Sequence, residues 1–338
     1  MMDMNTPTLS NITHVSVSPH IRHPRTTLSI MRDVVIALLP ACAMGVYTFG
    51  FRAFVILVLT VSACILTEWI YEKAMKLPNT VGDLSAVVTG MLIAMNVPAT
   101  LPIWMPVVGG IFAILVVKQL FGGIGHNIMN PALAARCFLL ISFAGFMTAY
   151  PATIRTLFDG GETLQAMAGA TPLAYVKAGG EIDIWQMIGN THNGCIGEAS
   201  PIALLVGGVY LLARGVIHIR IPLVYIGATI GFVCLIQALT GNADTLTATY
   251  LVAQICGGGL LLGGFFMATD YVTSPVTPWG QVVFALILGL LTALFRTIGN
   301  SAEGVSYAII IGNLLVPLIE RFTIPKPFGV SGKKGGRA

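Results

Sequence analysis

Charge is scarce in this chain. Lys, Arg, Asp and Glu together make up 9% of its 338 residues, where a soluble domain carries about a quarter, and that deficit excludes a water-soluble fold. Closely spaced cysteines are missing too: Cys42, Cys64, Cys137, Cys195, Cys234 and Cys256 are scattered. An iron–sulfur cluster or zinc site held by this chain alone is therefore not expected, and cysteines within apolar runs behave as small hydrophobes. The residues ahead of Val34 include Arg22, Arg25 and Arg32 but no apolar stretch followed by a small-residue cleavage site, so no cleavable signal peptide is expected.

What the chain has in excess is apolar length. Hydrophobic residues make up 55% of it, and runs near the roughly 20 residues that a helix needs to cross a bilayer recur from Val34 to Glu320. The runs give ten spans, at 34–50, 52–71, 84–97, 104–121, 131–149, 199–213, 221–240, 250–268, 279–296 and 304–320. The third and sixth are short, as broken or re-entrant helices are. The expected fold is an all-α polytopic membrane protein divided into an N-terminal segment (1–33), a first five-helix unit (34–149), a loop (150–198), a second five-helix unit (199–320) and a basic tail (321–338).

Lys and Arg fall mostly on one side of these spans. The N-terminal side holds Arg22, Arg25, Arg32, Lys73, Lys76, Lys118, Arg214, Arg220, Arg321, Lys326, Lys333, Lys334 and Arg337; the other holds Arg52, Arg155, Lys177 and Arg296. Cytoplasmic loops carry the positive excess, so both termini are expected in the cytoplasm and loop 150–198, with Asp159, Glu162, Glu181, Asp183 and Glu198, outside. That sidedness accounts for the net charge of +4, and no nucleic-acid partner is read from it.

The two halves resemble each other. Ile36-Ala37-Leu38-Leu39 with Gly45-Val46-Tyr47 recurs as Ile202-Ala203-Leu204-Leu205 with Gly208-Val209-Tyr210, and Met95-Asn96, Pro102, Trp104 and Lys118 have counterparts in Thr269-Asp270, Pro278, Trp279 and Arg296. A five-helix unit crosses the bilayer an odd number of times, so the second copy enters from the opposite face. Inverted repeats place a site where the copies meet, between interrupted helices. Met95-Asn96-Val97-Pro98 and Thr269-Asp270-Tyr271-Val272-Thr273-Ser274-Pro275 combine prolines with polar groups at the ends of apolar runs, where carbonyls are freed for ligands; the residues alone leave open whether these are cavity walls or plain helix-end turns.

Arg136 and Asp270 are charges at membrane depth and need partners, water or a ligand. Arg136 is a candidate for pairing with a ligand or a helix-end carbonyl, or else for snorkelling or an interhelix bridge, and Asp270 for a cation or polar-ligand contact, with Asn96 as its counterpart. Glu68 and Glu72 are expected to pair with Lys73 and Lys76 at the interface. Gly122-Gly123-Ile124-Gly125-His126-Asn127 lacks the strand and Gly-Lys-Ser/Thr ending of a phosphate loop and is expected to form a tight turn. Gly169-Ala170-Thr171-Pro172 leaves little bulk around a hydroxyl and is extended before proline, a pattern that any exposed turn also shows.

The motifs taken together resemble a known family. Ser18-Pro19-His20-Ile21, Ile30-Met31-Arg32-Asp33-Val34, Gly122 to Asn127 with Asn130-Pro131-Ala132, Gly169-Ala170-Thr171-Pro172-Leu173 and Phe266 to Pro275 are similar to the D-subunit of the Rnf electron-transport complex and to the B-subunit of the sodium-translocating NADH:quinone reductase. The resemblance implies FMN joined through its phosphate to the Thr171 hydroxyl, beside Gly169 and Ala170, by a flavin transferase. It also implies a second, noncovalent flavin such as riboflavin, a fold like that of urea transporters, and electron transfer coupled to sodium-ion or proton movement with the complex's other subunits in a prokaryotic inner membrane. At Gln165 and Ala168 the chain departs from the acidic and small hydroxyl residues that usually precede the modified threonine. Two other functions stay open: a solute channel of the same fold with no redox role, since fold does not fix function, and a scaffold that only docks redox-active subunits.

Overall fold

The computed structural model describes residues 25–150, 172–177, 188, 194–241, 246–299 and 304–325. Among the described residues every regular element is helical. Five helices are long and apolar enough to cross a membrane: α1 (Thr27–Phe49), α2 (Phe51–Ala74), α9 (Arg220–Leu239), α12 (Pro278–Thr297) and α13 (Gly304–Thr323). A sixth candidate is a pair bent by 52°, α10 (Ala248–Cys256) followed by α11 (Leu260–Leu262), which continues as a π-helix over Gly263–Met267. Shorter apolar helices are α3 (Ser85–Met95), α4 (Trp104–Phe112, continued as a π-helix over Ala113–Gln119), α5 (Pro131–Ser142) and α8 (Pro201–Ala213). The third and sixth runs are thus short, as their sequences imply. Two small helices, α6 (Ala144–Met147) and α7 (Pro172–Lys177), complete the set with α7 inside the loop region.

Local sequence sets the helix starts. Asn130-Pro131, Ser200-Pro201 and Thr277-Pro278 each pair a capping side chain, accepting from backbone N–H groups of the first turn, with proline at the first helical position, where its missing N–H costs nothing. Thr26 and Ser29 close a capping box, which is why α1 begins at Thr27 and not at Val34, the first residue past the Arg32-Asp33 pair. Arg32 and Asp33 therefore lie within a helix. The glycine-rich segment forms the expected turn, with Gly122, Gly123 and Gly125 at φ of +112°, +87° and +89°.

Apolar side chains line the outside, including Leu59, Leu66, Val206, Val209, Leu223, Leu235 and Leu314, as on a lipid-facing surface. Without a hydrophobic drive between helices in lipid, association depends on close packing. α1 packs on α8, α5 on α13, α2 on α3 and α9 on α12. Gly207 makes the α1–α8 approach possible: a Cβ there would stand 2.1 Å from the Ala37 carbonyl oxygen, while one at Gly227 meets nothing within 4 Å. Gly207→Leu is expected to lower the unfolding temperature of the purified chain, with overpacking of this kind costing about 1–3 kcal/mol, and Gly227→Leu to leave it unchanged. Equal midpoints for the two variants in a thermal-unfolding assay would contradict the packing described.

Candidate functional site

Three features lie inside the bundle, each beside a helix irregularity. The first is a cavity of about 90 Å³, several times the roughly 10–15 Å³ that one water needs. It lies where α1 begins. Met31 and Val34 of α1, Thr89 and Leu92 of α3, and Phe265 and Phe266 of the second π-helix give it walls, and Lys118, Asn127, Asn130, Thr269 and Asp270 give it polar groups. Asp270, three residues past the end of that π-helix, accepts from the Val272 N–H at 3.4 Å and the Thr273 hydroxyl at 3.3 Å.

The second feature is an ion pair. Lys118, in the π-helical end of α4, donates from Nζ to Glu68 Oε1 and to Ser85 Oγ, both at 2.6 Å. Gln119 Nε2 donates to the same carboxylate oxygen at 3.0 Å and Thr80 Oγ1 at 3.2 Å. The side chains of Lys118 and Glu68 are 2% and 0% exposed, so this pair belongs to the core. The expected interfacial pairing with Lys73 and Lys76 does not describe Glu68 and Glu72. Lys73 is five residues from Glu68 and so on another face of the helix, and its ammonium lies over the Trp69 ring at 4.7 Å. Helix α2 ends at Ala74, before Lys76 could stack a turn above Glu72; Glu72 instead accepts from the Thr80 hydroxyl and backbone N–H.

The third feature is a cluster around Arg136. Its Nη1 donates to Asn96 Oδ1 at 2.6 Å and its Nη2 to Cys195 Sγ at 3.5 Å, while the Cys195 thiol reaches the Asn96 carbonyl at 3.4 Å. Asn96 ends α3 and donates to the Leu92 carbonyl at 2.7 Å. Glu198 is buried within electrostatic reach of both Arg136 and Arg296. Arg296, fully buried in α12, donates to the Gln254 carbonyl and side chain at 2.6 and 3.0 Å and to the carbonyls of Gly257 and Gly258 at 2.9 and 3.0 Å. It thereby satisfies the open carbonyl end of α10, where a cation is favoured. Gly258 and Gly259, at φ of +64° and +69°, make the break there.

Met267 joins the cavity to the cluster: Asn96 Nδ2 lies 3.7 Å from its sulfur and Asn130 Nδ2 donates to its carbonyl at 3.4 Å. Of the residues singled out from sequence, Arg136 and Asn96 are in direct contact, and Asp270 lines the cavity apart from them. Thr171, Gly169 and Ala170 fall outside the described residues. Sequence reasoning misses Lys118, Arg296, Glu198 and Cys195. It matches Lys118 with Arg296 across the two halves but counts both, at the ends of their spans, only toward the sidedness of charge, whereas both are buried within helices. Among the described residues no group of three His, Cys, Asp or Glu side chains is placed to hold a metal; the cavity wall combines aromatic and polar side chains.

Such an arrangement defines a multi-pass helical membrane protein with an interior cavity and buried charge networks at helix breaks. Residues 14–329 match the model of the NQR2, RnfD, RnfE family, and the chain belongs to that family. It is 45% identical over 323 residues, covering 94% of this chain and 95% of the relative, to the D-subunit of the Na(+)-translocating ferredoxin:NAD(+) oxidoreductase complex of Acetobacterium woodii. It is 38% identical over 330 residues, covering 94% and 97%, to the D-subunit of the proton-translocating ferredoxin:NAD(+) oxidoreductase complex of Clostridium ljungdahlii. With the D-subunit of the ion-translocating oxidoreductase complex of Actinobacillus succinogenes the identity is 32% over 352 residues, covering 94% and 98%.

Arg136→Met removes the donor to Asn96 and leaves Glu198 with one buried cation fewer. A loss on the order of 3 kcal/mol is expected, as for other buried pairs broken on one side, read as a lower unfolding midpoint. An unchanged midpoint would mean that the cluster does not hold the two halves.

Proposed function

We propose that this chain is the flavin-carrying membrane subunit of an ion-translocating ferredoxin:NAD oxidoreductase complex, passing electrons through FMN bound covalently at Thr171, coupled to sodium-ion or proton transport. The observation that carries the reading is the end-to-end likeness to the D-subunits of two such complexes, together with the Gly169-Ala170-Thr171-Pro172 motif.

The topology proposed is ten spans in two inverted five-helix units, like the urea transporter fold. The four shorter apolar helices, added to the five long ones and the bent pair, bring the number of segments to ten. Two features support the inversion. The first helices of the two units, α1 and α8, pack on each other, as do the fifth, α5 and α13. Lys118 and Arg296, each on the fourth helix of its unit, are both buried cations that hold a neighbouring element. Because these two are internal, they leave the tally of loop charges on their respective sides, and the remaining Lys and Arg still favour cytoplasmic termini and an external loop.

Two residues past Thr171, Leu173 is fully buried against Ala253, with Val176, Val252 and Cys256 around it. The chain beyond the attachment residue is thereby fixed on α10, close to Gly257. The cavity is the proposed site of the second, noncovalent flavin. Phe265 and Phe266 supply apolar surface for a ring face, and Asn127, Asn130 and Thr269 supply hydrogen bonds for a ring edge. When bound, flavin supplies one- or two-electron exchange; the protein's part is to hold it, shield it from water and set the charge around it. Ferredoxin and NAD belong to partner subunits, and a flavin transferase is needed for maturation.

Thr171→Val tests the attachment. In a host that makes the transferase, the denatured wild-type band is expected to fluoresce under ultraviolet light and the variant band to be dark. Equal signals from both bands rule out Thr171 as the attachment residue.

A further inference from the structure

We propose that Tyr271 is the gate of the cavity: its phenol bars the mouth by holding the Val216 carbonyl, and a ligand passes between cavity and water when that hydrogen bond opens. The ligand class, a planar polar heterocycle such as riboflavin, rests on the function proposed above; the gate itself rests on the contacts around the mouth.

Burial along the cavity wall locates that mouth. Among the described residues that line the cavity, Tyr271 alone is exposed, at 54%, whereas Thr89, Leu92, Leu211, Phe265 and Phe266 are closed off from solvent. The mouth lies at the end of the bundle where α1 and α9 begin and α8 ends, near the exposed Arg25, Arg214, His218 and Arg220. Exposed charges of this kind belong in water and not in lipid, so the entrance is aqueous.

The carbonyl that Tyr271 holds belongs to a rigid post. Gly215, at a φ of +62°, ends α8. Its N–H donates to the Leu212 carbonyl and the Val216 N–H to the Leu211 carbonyl, both at 2.9 Å, which closes the helix end. Arg25 donates to the Gly215 carbonyl at 2.8 Å and to the Arg214 carbonyl. The Arg214 guanidinium is paired in turn with the buried Asp33 at 3.3 Å.

The bar is the looser partner. Tyr271 lies between the second π-helix and α12, outside any regular helix, and its hydroxyl donates to the Val216 carbonyl. A hydrogen bond at a wet surface is readily exchanged for one to water, and an exposed side chain turns on its own torsions without moving the backbone. Released, the phenol swings into water while the post stays. Because the bar closes the same mouth whether the cavity is filled or empty, it slows entry and exit alike and leaves affinity to the walls.

The test begins without flavin. In the purified full chain carrying Thr89→Cys as a reporter inside the cavity, N-ethylmaleimide labelling of position 89 is followed by peptide mass. Adding Tyr271→Phe is expected to speed it about 3- to 10-fold, the factor that one lost hydrogen bond provides. Cys42, buried outside the cavity, is the internal control, and its labelling is expected to stay the same. An unchanged rate at position 89, or an equal acceleration at Cys42, overturns the gate. With riboflavin as the probe and Thr89 intact, Tyr271→Phe is expected to speed release by a similar factor at unchanged Kd. Faster release matched by an equal loss of affinity makes Tyr271 part of the wall and overturns it as well. Absence of riboflavin binding removes the ligand assignment, and the labelling at position 89 then decides the gate by itself.

Discussion

The structure depends on one constraint: charges inside an apolar bundle must be paired, because in lipid no water can solvate them. Lys118 meets it through Glu68 and Ser85, Arg296 through the carbonyls of Gln254, Gly257 and Gly258, and Arg136 through Asn96 and Cys195. Each of these contacts ties together segments that hydrophobic packing alone would leave free to slide. Each also lies at an irregularity, whether a π-helical turn, a helix end or a glycine break. The regular helices supply the wall, and the breaks supply the polar groups.

From this follows a column of polar groups through an otherwise apolar molecule. It begins with Lys118 and Asp270 at the cavity, passes Asn130, Met267 and Asn96, and reaches Arg136, Glu198 and Arg296. Beyond Arg296, the Gly257 segment touches Leu173, just past the threonine proposed to carry FMN. Such a layout runs from the cavity to the Leu173 contact through one charged core. Among the described residues, the Glu198 carboxylate lies within electrostatic reach of both arginines of the inner cluster. The acidic Glu68 lies to the side, off this column.

Much of this architecture was legible in the sequence. The apolar runs marked the five long spans and a sixth that the structure bends, as well as the shortness of the third and sixth runs. Asn96 and Arg136 stand out in sequence because a polar group at membrane depth requires a partner, and in the fold they partner each other. Lys118 and Arg296 do not, since each stands near the end of a span, where a loop charge and a buried charge look alike in one dimension. Only the fold shows that Glu68 faces α4 and not its own lysines, or that Glu198, one residue from a span, is buried among arginines. Helix periodicity says which residues share a face; it does not say which neighbour that face meets.

The central claim is that Thr171 bears a flavin beside this charged core. Peptide mass spectrometry of the native polypeptide, taken from cells that possess the transferase, tests it most directly. The account predicts one FMN joined by a phosphoester on the peptide containing Thr171. An unmodified peptide, or the adduct on another residue, would contradict it.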